Sequence, residues 1–163
     1  MVICGPVGSG KSTLLNGILQ EAEELPYAEE CTDSTTTTTP MVQKGGEIAY
    51  APQDPFILNQ SLRENILFGS KFDVVRYNHV LDACALRPDI EQLGGSDMVQ
   101  IGERGVTLSG GQRQRVSLAR AAYKAQGRFS CVVLDDPFSA LDSGTGKTVF
   151  EKLIAAPDAL LKN

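Results

Sequence analysis

The chain has 163 residues, the length of one domain. At 42% apolar and 21% charged it has the make-up of a globular fold, which excludes collagen-like, coiled-coil and largely disordered classes. Fifteen Lys and Arg face twenty Asp and Glu, a net charge of −5, the wrong sign for a protein that works by gripping nucleic-acid phosphate.

Residues 1–4 are a short apolar run that reads as a strand. A glycine-rich stretch follows, then a helix expected from Ser12 to about Glu24, with Leu14, Leu15, Ile18 and Leu19 at helical spacing. The segment from about Pro26 to Gly46 holds the run Thr35 to Thr39 and little that is apolar. It is expected to be an exposed, disordered insertion over about 28–46. Ile48, Ala49 and Tyr50 read as a strand stopped by Pro52. Short helices are expected over 61–93, and a longer one from Ser109 to about Lys124 that begins at a glycine pair. Together they make a helical subdomain over about 60–124. Residues 131–134 have the pattern of a parallel strand buried on both faces, and a last helix is expected over about 144–153. The alternation predicts an α/β fold with a helical insertion.

Cys4, Cys31, Cys84 and Cys131 are far apart and only one histidine, His79, accompanies them, so a zinc site is not expected. Cys4 and Cys131 sit in apolar runs and read as buried reduced thiols. No apolar stretch approaches the ~20 residues of a membrane span.

Gly5-Pro6-Val7-Gly8-Ser9-Gly10-Lys11-Ser12 fits G-x-x-x-x-G-K-[ST]. The glycines let the backbone curl until successive N–H groups point inward. Lys11 adds charge for the outer phosphates, Ser12 offers a hydroxyl to Mg²⁺, and the next helix aims its N-terminus at the anion. Asp135 and Asp136 close the apolar run at 131–134, at the strand end where α/β sheets bind ligands. Asp135 suits Mg²⁺ held through water, and Asp136 suits an attacking water. Leu108-Ser109-Gly110-Gly111-Gln112 opens the long helix. Ser109 can cap it while the glycines expose backbone N–H groups, a second anion-binding helix start. One nucleotide does not readily use both starts within a monomer, so the second is expected to serve a partner's nucleotide.

In this order the motifs resemble the nucleotide-binding domain of ABC (ATP-binding cassette) proteins. Gly5 to Ser12, with Thr13 beside them, resemble the Walker A loop, and Gln53 the Q-loop glutamine. Leu108, Ser109, Gly110, Gly111 and Gln112 resemble the signature, residues 132–135 Walker B, and Ser139, Ala140, Leu141 and Asp142 the D-loop. The resemblance implies a P-loop NTPase with an ABC-type core of parallel sheet and helical signature subdomain. It implies ATP and Mg²⁺ as ligands, the latter on Ser12, Gln53 and Asp135, and a catalytic part for Gln53 and Asp136. It further implies head-to-tail pairing with a second nucleotide-binding domain, docking on transmembrane domains at the cytoplasmic side of a membrane, and no nucleic acid.

Residues 101–105, Ile-Gly-Glu-Arg-Gly, resemble the segment by which exporters touch their membrane domains, and 55–66 are exporter-like as well. Asp136 stands where most active members carry Glu. With its surroundings it resembles the first such domain of C-type (multidrug-resistance-associated) exporters, where this site hydrolyses weakly. The adenine-stacking aromatic and the switch histidine of the family are not found, and His79 reads as a surface residue of a helix. The domain is therefore expected to be partial, with the N-terminal β strands and the C-terminal strand incomplete. Gly144-Thr145-Gly146-Lys147-Thr148 imitates a P-loop end, but Leu141 stands where the first glycine is needed, and it reads as a helix start. Two other readings compete: a soluble ABC ATPase without membrane domains, and a nucleotide-gated dimerisation module that does not hydrolyse.

Overall fold

The computed structural model describes residues 2–19, 47–103, 106–125 and 131–162. They fall into two units, Met1–Gly46 and Glu47–Asn163. The expected insertion at 28–46 lies outside the described residues, as do Cys31, Arg104 and Gly105.

In the first unit the glycine loop leads into helix α1, Lys11–Leu19. None of its residues is buried, because an apolar stripe is covered only by a second apolar layer. The expected strand at its head is not formed: residues 2–6 have no regular secondary structure. A strand cannot satisfy its own N–H and C=O groups and exists only where a neighbour completes the ladder. Cys4 is exposed, against expectation.

The second unit is built on two short strands, β1 (Ile48–Ala51) and β2 (Cys131–Leu134). They pair in parallel, Ile48 opposite Cys131 and Ala51 opposite Leu134. The chain between them holds α2 (Leu62–Leu67), α3 (Val74–Ala83), α4 (Arg87–Gln92) and α5 (Gly110–Lys124). β2 is followed by α6 (Ser143–Phe150) and a π-helical turn, Glu151–Ala155. Only Val133 of β2 is buried and Cys131 is exposed, so β2 is not covered on both faces by the described residues. Cys84 is the buried thiol among the described residues, and burial pushes its pKa up to about 12.

α5 is the central pillar. Val116, Leu118, Ala119, Ala121, Ala122 and Tyr123 are all buried in the core with Leu62, Ile66, Val80 and Leu86. Small alanines let the helix lie close to β1, while Tyr123 reaches out: its hydroxyl donates to the Lys71 carbonyl at 2.7 Å and accepts from Asp73 N–H at 2.8 Å. Arg76 of α3 closes the other end, donating to the carbonyls of Tyr123, Ala122 and Ala125, where the helix dipole favours a cation. Arg120 is buried with no carboxylate partner among the described residues. It donates to Asn65 O at 2.9 Å and stacks on Phe56 and Phe68. Desolvation draws its pKa down to about 10. Among the described residues no helix is long and apolar enough to cross a membrane.

Candidate functional site

In the first unit, Gly8 and Gly10 take φ of 81° and 85°, the left-handed region that a side chain resists. A Cβ on Gly5 would lie 2.7 Å from Ser9 Oγ, so a side chain there would turn that hydroxyl aside. Ser9 N–H donates to Pro6 O at 3.2 Å, closing the turn. Lys11 Nζ reaches back across the loop to Pro6 O at 2.8 Å and Gly5 O at 2.9 Å. Pro6, Val7, Ser12 and Thr13 are exposed, and no acid stands in the first turn of α1. A curled backbone, an ammonium at its mouth and a helix start without an acid suit an anion.

In the second unit, the parallel register sets the C-terminal ends of β1 and β2 side by side. Asp135 N–H donates to Ala51 O at 3.0 Å, so Gln53 and the acid pair leave the same end of the sheet. Asp136 is exposed with φ of 46°. Among non-glycine residues Asp and Asn are the ones enriched in that region, so the backbone itself favours a short polar side chain here. The Asp136 carbonyl accepts from the Ser139 hydroxyl at 3.1 Å. This turn carries Ser139, Ala140 and Leu141 to Asp142, which caps α6 by accepting from Thr145 N–H at 2.9 Å. That backbone bond holds the Asp142 carboxyl below its usual range. Gly144 to Thr148 thus form a helix, as expected, and His79 is exposed on α3.

The signature forms the start of α5. Ser109 is the N-cap: its Oγ accepts from Gln112 N–H at 3.2 Å, and Ser109 N–H donates to Gln112 Oε1 at 2.9 Å. This reciprocal pair satisfies two orphan groups. Gly110 and Gly111, the first two helical residues, have N–H groups with no partner among the described residues. A Cβ on Gly110 would meet nothing within 4 Å, whereas one on Gly111 would lie 3.1 Å from Ala140 O. The fold therefore brings the signature and the D-loop together. Leu108 is buried beneath them.

Sequence reasoning missed what stands behind the signature. Asp89 of α4, 5% exposed, accepts from Arg115 at 2.7 and 2.9 Å and from Gln112 Nε2 at 3.1 Å. Nothing local in the sequence marks Asp89; only the spacing of Gln112 and Arg115, three apart on one helix face, hints at a shared partner. The two exporter-like segments also meet. Ser61 pairs with Gln100, and Ile101 N–H donates to Gln60 O at 2.9 Å.

Residues 1–139 match the family model described as ABC transporter. The chain is 44% identical to human ATP-binding cassette sub-family C member 2 over 162 residues, 99% of this chain and 9% of that protein. It is 44% identical to multidrug resistance protein mrp-7 of Caenorhabditis elegans, covering 99% of this chain and 10% of that one. ABC transporter C family member 12 of Dictyostelium discoideum is 46% identical over 151 residues, 93% of this chain and 10% of its own length. The chain thus spans about a tenth of the curated relatives it matches. The family match carries the P-loop NTPase fold, with which the small parallel sheet and its helices agree.

Proposed function

The chain belongs to the ABC transporter family, and from that premise we propose that it is the ATP-binding, weakly hydrolysing domain of a C-type exporter. What carries the reading is the start of α5. It offers the N–H groups of Gly110 and Gly111, which have no partner among the described residues, with no acid in its first turn and no side chain on its first two positions. That is a receptor for phosphate, and in this family the phosphate belongs to the opposing domain. On this reading residues 60–124 act as the helical subdomain, and residues 101–105 with 55–66 face transmembrane domains on the cytoplasmic side of the membrane.

The assignments carry over residue by residue. Lys11 and the backbone of residues 8–12, with Thr13, take the phosphates of ATP. The uncharged loop and its ammonium fit that anion. Ser12, Gln53 and Asp135 are the Mg²⁺ residues; their hydroxyl, amide and carboxylate oxygens are the hard donors that cation prefers. Mg²⁺, when bound, draws charge from the phosphate oxygens. Asp136 orients the attacking water, with Gln53 beside it. Signature and D-loop receive the ATP of a second nucleotide-binding domain.

Asp136 sets the rate. A general base must come within about 2.6–3.2 Å of its water. Asp is shorter than Glu by one C–C bond, about 1.5 Å, and a misplacement of about 1 Å costs on the order of a hundredfold. The site therefore acts mainly as an ATP-held clamp. The test is single-turnover hydrolysis in the full-length transporter with the partner's site disabled. Asp136→Glu is expected to raise the rate at least about tenfold, and Lys11→Ala to remove most MgATP binding by calorimetry. A rate unmoved by Asp136→Glu but abolished by Lys11→Ala sinks the weak-site reading. Undiminished affinity in Lys11→Ala sinks the phosphate assignment.

A further inference from the structure

We propose that Asp89 is a positioning residue for the signature, acting through Gln112 on the N–H groups that receive the partner's ATP; this rests on the nucleotide-sandwich reading above. Three observations carry it. Asp89 is 5% exposed and lies on α4, twenty residues before Ser109. Its two oxygens are shared between Arg115, which donates from Nε and Nη2 at 2.9 and 2.7 Å, and Gln112 Nε2 at 3.1 Å. The other end of the same Gln112 amide accepts from Ser109 N–H at 2.9 Å.

The amide of Gln112 is therefore fixed at both ends. A carboxylate can only accept, so it selects the nitrogen and leaves the oxygen for Ser109. With Ser109 Oγ occupied as acceptor by Gln112 N–H, the hydroxyl proton stays available for an incoming phosphate oxygen. Gly110 and Gly111, with N–H groups that have no partner among the described residues, follow it as the first two residues of α5. Arg115 balances the charge of Asp89 in a two-bond fork, so the relay presents a neutral surface to the anion. Without Asp89 the Gln112 amide can turn over, put its N–H₂ against Ser109 N–H, and release the cap. An orienting contact behind a binding group is worth a measurable share of its affinity even though it touches no ligand.

The experiment follows MgATP-dependent association of the chain with a complete C-type nucleotide-binding domain, and separately MgATP affinity at the Lys11 loop. Asp89→Asn is expected to raise the MgATP concentration for half-maximal association about tenfold, while the Lys11-loop affinity stays within about twofold. Gln112→Met, which keeps the Asp89–Arg115 pair, is expected to give a similar loss. The double variant Asp89→Asn/Gln112→Met is expected to be no worse than Gln112→Met alone, since one path is broken twice. A merely structural Asp89 makes the losses add, and that result overturns the proposal. So does normal association in Gln112→Met, which decides the matter if Asp89→Asn does not fold. Gly110→Asp separates the two levels: if it also associates normally, the sandwich reading itself has failed; if it alone is impaired, only the relay has.

Discussion

α2 and α5 begin with the same device and end up with opposite uses. Each has a serine N-cap, Ser61 or Ser109, and each closes a reciprocal pair with the residue three further on, Glu64 or Gln112. At α2 the next two N–H groups are consumed by the chain: Leu62 donates to Val99 O at 3.1 Å and Arg63 to Asp97 O at 2.9 Å. The residue that closes the capping pair, Glu64, is an acid, and Leu62 is buried. At α5 the same two positions are glycines, their N–H groups have no partner among the described residues, and the residue that closes the pair, Gln112, is a neutral amide. A helix start is an anion site only when the protein leaves it unpaired and uncharged. α2 uses its start for the fold, and α5 keeps its start for a ligand.

The largest effect expected from this contrast is at the first helical position. Gly110→Asp places a carboxylate where a phosphate docks, at a position whose Cβ would meet no other part of the described chain within 4 Å. Like charges at an interface cost several kcal/mol, so MgATP-dependent association should fall at least about a hundredfold with little change in thermal stability. The matching position in α2 should respond the other way. Leu62→Ala removes a side chain that is 1% exposed and should cost roughly 2–5 kcal/mol of stability in urea unfolding. If Gly110→Asp unfolds the protein, or Leu62→Ala weakens association without destabilising, the division of labour between the two starts is wrong.

A finer cut lies within the glycine pair itself. Gly110→Ala meets nothing within 4 Å, but Gly111→Ala presses 3.1 Å from Ala140 O. The D-loop must shift by a few tenths of an ångström to admit that methyl. Gly111→Ala should weaken association more than Gly110→Ala, by about tenfold if the displacement costs about 1.4 kcal/mol. Nuclear magnetic resonance should show shifts at Ser139 to Asp142 in Gly111→Ala alone. Equal behaviour of the two variants would mean that the D-loop does not lean on the signature.

What the sequence showed and hid divides along the same line. The P-loop glycines, the Ser109 cap and the strands at 48 and 131 could be read because turn chemistry, capping and apolar runs are local. Asp89 could not, because its meaning depends on α4 lying against the start of α5. The fate of the Leu62 and Arg63 N–H groups was hidden for the same reason: Val99 and Asp97 are over thirty residues away in the chain. Cys131 misled because an apolar neighbourhood in sequence is not a covered one in space; it is exposed at the first position of β2. The strand expected at 2–4 failed likewise, since apolarity proposes a strand but only a neighbour's hydrogen bonds make one. Asp136 was legible as a departure, though not its left-handed backbone at φ 46°.

The smallest expected difference is in how the two caps answer to acid. Glu64 is held below its ordinary pKa of 4.5 by hydrogen bonds, first from the Ser61 hydroxyl and then from its backbone N–H. A carboxyl whose folded pKa lies below its unfolded value binds fewer protons in the folded state over that window. Its contribution is therefore complete above about pH 4.5 and is lost as pH falls through the lower folded value. Because Glu64 is open to solvent, the change should be local, a loosening of the Ser61 cap rather than unfolding. The Ser61 amide resonance should move on acidification, following protonation of Glu64. In Glu64→Gln, which gives α2 the neutral N3 partner that α5 already has, that response should vanish while the helix persists. A Ser61 amide that still titrates in Glu64→Gln would show that another acid governs this start, and that the carboxylate is not what distinguishes the closed helix from the open one.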